Sequence, residues 1–211
     1  MRHTIIIIAT FLIASACYGQ SLIRQDNETA EMFADRLKPD SSELAHAVLE
    51  TKSLNNSGTI IVAFYKKTVD EVKQMPTYVD HNKYDIIIGY LYIPTSLTSY
   101  RKVLIDTIFP DGGDPEIISV FFANADKDSR KELIVLCKYP QVHYDYGGAF
   151  YETFIYDNPS NNTEHLSYFN ELSEKFWGCE CAWRAEEKRR PEKAKFKTAK
   201  DVKAKLKKLG F

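Results

Sequence analysis

The sequence lacks the common signatures of an enzyme active site. It contains no Gly-x-Ser-x-Gly elbow, no His-Glu-x-x-His pair and no glycine-rich loop that could hold a phosphate group. It also has no low-complexity tract and no internal repeat with the period of a solenoid. These absences argue against a motif-bearing hydrolase, metalloprotease or nucleotide-binding enzyme, and against a repeat architecture.

Long apolar runs are also missing, apart from one at the amino terminus. The run over residues 5–13 comes after Arg2 and His3 and precedes the small residues 14–16, which is the layout of an export signal. It is shorter than the roughly 20 residues that span a bilayer, and no later run is longer. The sequence therefore predicts a signal peptide over 1–20 and a mature protein without a membrane span. We expect that protein in the periplasm, on the outer-membrane surface or outside the cell.

The cleavage position decides whether the mature protein carries a lipid. Cleavage after Ala16 would leave Cys17 first, in a context that resembles a bacterial lipobox and allows a lipid anchor at that thiol. Cleavage after Gly19 or Gln20 also follows the small-residue rule and would remove the cysteine. The sequence leaves both positions open.

Cysteines are scarce, and only three remain if Cys17 is removed or lipidated. Because export permits disulfides, we expect Cys137 to pair with Cys179 or Cys181. The alternative is a zinc site that combines the Cys-x-Cys pair with His143 and His165, although the usual Cys-x2-Cys spacing is missing.

The net charge of -1 conceals an uneven distribution. Residues 184–211 carry 12 Lys and Arg against 4 Asp and Glu, whereas residues 21–183 carry 15 against 25. A basic tail can bind nucleic acid or an anionic membrane, but stacking aromatics are nearly absent from this one. We therefore predict no nucleic-acid partner and expect the tail to balance the acidic body of the same domain.

The apolar pattern predicts an α+β domain over 21–183, followed over 184–211 by a basic connection and an amphipathic helix packed on that domain. Six segments rich in Ile, Val, Phe and Tyr predict a mainly antiparallel sheet of about six strands, because no long helices separate them. These segments are 59–65, 85–93, 102–108, 117–123, 132–139 and 149–156.

Helical patterns flank these strands. Apolar residues at helical spacing predict short helices over 29–37, 41–50 and 167–177, and a last helix that Thr198 caps and Gly210 ends. Two further segments are less regular: 68–74 could be a short helix or a loop, and 111–114 is best interpreted as a hairpin connection.

A loop between two apolar segments, residues 124–132, carries oxygen-bearing side chains at positions one, three, five and nine. Its candidate ligands are the side chains of Asn124, Asp126, Asp128 and Glu132 with the backbone carbonyl of Arg130. Alternation of this kind directs several oxygens inward, and Ca²⁺ takes six to eight of them. The alternative is a β-turn in which the Asn and Asp side chains bond their own backbone.

The spacing resembles the calcium hairpin of FG-GAP/VCBS repeats, the blades of the integrin alpha propeller. In that family an Asp-x-Asp-x-Asp-Gly-x-x-Asp-Leu loop joins two strands, whereas here Ser129 stands at the glycine position. The resemblance implies a Ca²⁺-binding hairpin. It does not imply a propeller, since closure takes several blades and this chain has one such loop.

Aromatic residues crowd the segment 139–156, and some must point away from the core because strand residues alternate between faces. We expect Tyr144, Tyr146 and Tyr151 to form a contact surface for an unknown protein or glycan. The leading hypothesis is an exported, non-enzymatic binding module that Ca²⁺ stabilises. The alternatives are a secreted hydrolase that uses His143 and Asp145 on glycan, peptide or cell-wall material, and a periplasmic inhibitor or immunity-type protein.

Overall fold

The computed structural model describes residues 22–52, 54, 58–74, 79–159, 164–183 and 192–211. The predicted export signal, including Cys17, lies outside the described residues, as does most of the basic connection after residue 183.

The described residues form ten strands, in two sheets with antiparallel pairing throughout. The strands are β1 (Leu22–Ile23), β2 (Ser42–Leu44), β3 (Leu49–Thr51), β4 (Ile60–Gln74), β5 (Val79–Pro94), β6 (Ser99–Ile108), β7 (Glu116–Ala123), β8 (Glu132–Val142), β9 (Tyr146–Tyr156) and β10 (Gly178–Trp183). The helices are α1 (Ala30–Arg36), α2 (Asn170–Ser173) and α3 (Ala199–Leu209), and a 3-10 turn (Glu174–Phe176) follows α2.

The first sheet is curled into a half-barrel with the order β1-β6-β5-β4-β2, and β3 also pairs with β4. The second sheet has the order β10-β9-β8-β7. The predicted α+β fold with a predominantly antiparallel sheet is confirmed in part, because the fold is mostly antiparallel β with three short helices. The single sheet of about six strands is wrong. The six predicted strands divide equally between the two sheets.

The division occurs at the connection between β6 and β7. The predicted hairpin over 111–114 is wrong, since this segment carries the chain from the first sheet to the second. Gly113 lies so close to β8 that a Cβ atom there would stand 1.8 Å from the carbonyl oxygen of Pro140. Glycine is therefore required where the chain crosses between the sheets.

The main core lies between the two sheets. Phe64 and Ile87 of the first sheet pack with Leu133 and Val135 of the second in one buried cluster. A second cluster covers the outer face of the first sheet with α1, and a third covers the outer face of the second sheet with α3 and the 3-10 turn. The second sheet is thus held on both faces.

The predicted cap of α3 is confirmed, since Thr198 accepts a hydrogen bond from Asp201 N at 3.2 Å. Thr29 caps α1 in the same way and accepts a hydrogen bond from Met32 N at 3.1 Å. Gly210 ends α3 with a φ of 95°, a conformation that favours glycine. Among the described residues, no helix combines the length and the apolar character that crossing a membrane requires.

Two helical predictions are wrong. The segment 41–50 contributes β2 and β3, which pair with successive parts of β4. The segment 68–74 continues β4 and pairs with the first half of β5. The predicted helix over 167–177 shortens to α2 and the 3-10 turn.

The cysteine pairing also differs from the expectation. Cys179 is bonded to Cys181 with their Cα atoms 5.4 Å apart, and Cys137 is a buried free thiol. A bridge from Cys137 is wrong because β9 lies between β8 and β10. Two strand spacings are about 10 Å, beyond the roughly 7 Å that a disulfide spans. The zinc alternative loses both of its Cys-x-Cys ligands to the disulfide.

Candidate functional site

Three carboxylates meet at one end of the second sheet. Asp126 lies in the loop between β7 and β8, Glu132 is the first residue of β8, and Asp157 directly follows β9. Leu133 pairs with Tyr156, so the next position outward along both strands aligns Glu132 with Asp157. One oxygen from each carboxylate lies within 4.8 Å of the others, an arrangement that could hold a metal ion.

Backbone N–H groups orient all three carboxylates. Asp128 N donates to Asp126 Oδ1 at 2.7 Å, Asn158 N donates to Asp157 Oδ1 at 2.7 Å, and Ala125 N donates to Glu132 Oε2. One oxygen of each carboxylate is therefore fixed by the fold.

Glu132 is the most constrained of the three. It is fully buried, and among the described residues its Oε1 atom has no hydrogen-bond partner. Burial raises the pKa of Glu132, and the charges of Asp126 and Asp128 raise it further. Burying a carboxylate whose charge nothing neutralises lowers the folding stability by on the order of several kcal/mol. A bound cation would remove that cost.

Asn158, the residue after Asp157, adds a buried amide to this end of the sheet. The side chain is 7% exposed, and neither of its amide atoms makes a hydrogen bond of regular geometry within the described chain. Its Oδ1 atom is of the oxygen type that Ca²⁺ accepts from proteins. The pKa of Asp128 is lowered, chiefly by a hydrogen bond from the backbone N–H of Arg130. The Asn158 amide lowers this pKa further, by a smaller amount.

The structure brings together two of the five ligands predicted from the loop, Asp126 and Glu132. Asp128 is exposed, and its carboxylate accepts bonds from Arg130 N at 2.7 Å and Arg130 Nε at 3.1 Å. Asn124 and Arg130 are exposed. The loop also shows the alternative behaviour, because Asp126 and Asp128 both bond backbone N–H groups two residues ahead.

Sequence reasoning missed Asp157 and Asn158. Asp157 and then Asn158 follow the predicted strand 149–156, which pairs with the strand that Glu132 begins. The pattern of the loop contains no sign of them. Alignment of the two strands in register would have revealed Asp157, because the register brings it opposite Glu132.

The expected contact tyrosines lie in different surroundings. Tyr144 is 97% exposed at the tip of the β8–β9 hairpin, beside Val142, which is 83% exposed. Tyr146 is half-buried, and its ring stacks on His143 with centroids 4.3 Å apart. Tyr151 is half-buried five positions further along β9, on the opposite face of the strand.

The proposed catalytic pair is not joined by a hydrogen bond in the described chain. Nε2 of His143 lies 2.8 Å from Oε1 of Gln141, and Asp145 is exposed. Gln141 is itself held by the backbone carbonyl of Asp111 at 2.7 Å. The imidazole is thus oriented by a buried amide and a stacked ring.

An apolar cavity of about 430 Å³ adjoins the carboxylate site. Asp126 borders it, together with Phe169, Leu172 and Phe211. The cavity gives one carboxylate of the site a partly open side, consistent with the half-buried state of Asp126.

No family model, curated protein or solved structure matches the chain. The likeness of residues 124–132 to the FG-GAP/VCBS calcium hairpin consequently stays a prediction based on about ten residues.

Proposed function

We propose that this protein is an exported, non-enzymatic binding module whose second sheet is stabilised by a Ca²⁺ ion at Asp126, Glu132 and Asp157. The observation that carries the proposal is the buried Glu132, one oxygen of which has no hydrogen-bond partner among the described residues and which lies beside two other carboxylates. Occupation by a cation would neutralise that charge and join the β7–β8 loop to the segment after β9.

The chemistry of the donors favours Ca²⁺ among the common cations. All the candidate ligand atoms are oxygens, which suits a hard cation. Ca²⁺ tolerates irregular sets of six to eight oxygens and accepts amide and backbone carbonyls, so Asn158 and water could complete the shell. Mg²⁺ requires near-octahedral geometry and retains more water, so we expect it to bind less well.

The binding role is supported by the hairpin tip at the other end of β8 and β9. Tyr144 and Val142 are almost fully exposed there, and exposed tyrosine is enriched in protein contact surfaces. The buried amide of Gln141 is hydrogen-bonded to His143, so a structural role accounts for the orientation of this ring without a catalytic one.

The proposal is tested by thermal unfolding in Ca²⁺, in Mg²⁺ and in EGTA. If the dissociation constant is about 0.1 mM, as in extracellular modules, about 1 mM Ca²⁺ should raise Tm by roughly 3–6 °C. Asp157→Asn should abolish that increase. Asp145→Asn is the matched control, since it makes the same chemical change at an exposed position on the opposite end of the hairpin.

Two outcomes would contradict the metal assignment. One is a Ca²⁺ response that survives in Asp157→Asn, and the other is a Tm that Ca²⁺ does not change in the unaltered protein. An equal response to Mg²⁺ would overturn the choice of cation while retaining the site.

A further inference from the structure

A basic cleft lies between α3 and the segment that leads into β10. Its volume is about 870 Å³, within the roughly 300–1,000 Å³ that is usual for small-molecule sites. Trp177 and Gly178 form one side, and Phe196 also lines the cleft. The lysines that line it are Lys175, Lys193, Lys195, Lys205 and Lys208.

Among the described residues, the charge of this cleft is largely uncompensated. None of its five lysines forms an ion pair with them, and the two carboxylates among the described lining residues are those of Glu192 and Asp201. Asp201 is engaged in the α3 cap, where it accepts the Thr198 hydroxyl at 2.7 Å. Clustered lysines in a concave surface raise the local concentration of anions.

One ion pair between the basic tail and the acidic body involves a different lysine. Nζ of Lys197 lies 2.6 Å from Glu180 of β10, and Lys197 does not line the cleft. The lysines of the cleft therefore remain available for an external anion.

Trp177 gives the cleft a second recognition element. The side chain is 51% exposed, and its ring packs against Phe150 with centroids 5.5 Å apart. A supported, half-exposed indole offers an apolar surface to the C–H face of a sugar ring. Lysine ammonium groups beside it suit a carboxylate, sulfate or phosphate on the same sugar.

The geometry of α3 argues against a membrane surface as the partner. The apolar residues Val202 and Leu206 are 0% and 2% exposed, because they pack on the second sheet. A helix that lies in a bilayer interface needs a free apolar face. Among the described residues that line the cleft, Trp177 is the one exposed aromatic side chain, which is a weak platform for successive nucleic-acid bases.

We infer that this cleft binds an anionic glycan, with a sugar ring against Trp177 and its acidic groups beside the lysines of α3. The inference rests on the proposed binding function and names its ligand class. It is independent of the Ca²⁺ site, which lies on a different set of loops. The ligand can therefore be tested even if the cation proposal fails.

Titration calorimetry of the purified protein with sulfated maltohexaose tests the inference, with unmodified maltohexaose and inorganic sulfate as separate probes. We expect the sulfated sugar to bind more tightly than either probe. The double substitution Lys205→Gln and Lys208→Gln should weaken its binding about tenfold. Lys203→Gln is the matched control on the same helix, since Lys203 lies over the Phe121 ring at 5.1 Å and outside the cleft.

Trp177→Leu separates the sugar contact from the charge. It should weaken binding of the sulfated sugar about fivefold and leave inorganic sulfate unaffected, because the lysines remain. Equal affinity for poly-glutamate, single-stranded DNA or anionic vesicles would overturn the glycan assignment. If the double substitution Lys205→Gln and Lys208→Gln leaves the affinity for the sulfated sugar unchanged, the sugar does not bind in this cleft.

Titrations in Ca²⁺ and in EGTA distinguish failure of this inference from failure of the cation proposal. Glycan binding in EGTA, together with a Tm that Ca²⁺ does not change, would contradict the cation proposal and support the glycan inference. A Ca²⁺-dependent increase in Tm without glycan binding would support the cation proposal and contradict the glycan inference.

Discussion

A carboxylate buried as fully as Glu132 destabilises a fold unless a partner neutralises it. Glu132→Gln retains an acceptor for Ala125 N–H and replaces the unpartnered oxygen with an amide that can donate to Asp126 or Asp157. In EGTA we therefore expect the variant to be more stable than the unaltered protein at pH 7, by about 1 kcal/mol. In Ca²⁺ the order should reverse, since the variant loses a ligand.

The same substitution gives a pH dependence of known sign. Burial raises the pKa of Glu132 in the folded state above the ordinary value of 4.5, so the folded protein holds this proton more tightly than the unfolded chain. Stability from this group is therefore greatest below pH 4.5 and is lost as pH rises through the folded pKa. Urea unfolding in EGTA at several pH values measures it.

The difference between the unaltered protein and Glu132→Gln isolates this one group. Burial also raises the pKa of Glu152, but that contribution is common to both proteins and cancels. If the free energies of unfolding of the two proteins change in parallel with pH, Glu132 does not titrate as inferred.

Individual site residues were only partly predictable from the sequence. Alternating oxygens identified Asp126 and Glu132, because that signal is local. Asp157 belongs to the same site through the register of two paired strands, and Asn158 through its position after β9. A local sequence pattern cannot indicate which residues strand pairing brings together when the segments are about 25 residues apart.

At the scale of elements, the strands with many Ile, Val, Phe and Tyr residues were predictable, and the segment 41–50 was not. Leu44 and Val48 fit a helical period, yet both pack against the outer cluster of the first sheet, Leu44 from β2 and Val48 from the connection between β2 and β3. Ala45 N donates to the carbonyl of Phe64 at 2.8 Å. Hydrogen bonds to the long strand β4 therefore override a weak helical preference.

The last helix offers the clearest test of an element. Thr198→Ala removes the acceptor for Asp201 N at the start of α3, and we expect it to destabilise the protein by about 1 kcal/mol. Thr198→Ser keeps the hydroxyl and should cost only a few tenths of a kcal/mol. Chemical denaturation measures both, and an equal loss in the two variants would show that the methyl group matters rather than the cap.

At the scale of the whole molecule, the two sheets share one core. Phe64 and Val135 belong to the same buried cluster although they come from different sheets, and the Tyr156 hydroxyl of the second sheet donates to Asp106 of the first at 2.8 Å. Neither sheet can separate without exposing the other's inner face. The prediction of one domain rested on chain length and apolar content, which do not specify that the strands divide into two layers.

This shared core determines how a cation at the edge of the second sheet should act. Because the sheets unfold together, Ca²⁺ should move a single calorimetric transition as a whole, with equal calorimetric and van't Hoff enthalpies in Ca²⁺ and in EGTA. Asp157→Asn should also unfold in a single transition, and its Tm should be the same in Ca²⁺ as in EGTA. Two transitions, of which Ca²⁺ moves only one, would mean that the second sheet folds independently and that the cluster between the sheets does not couple them.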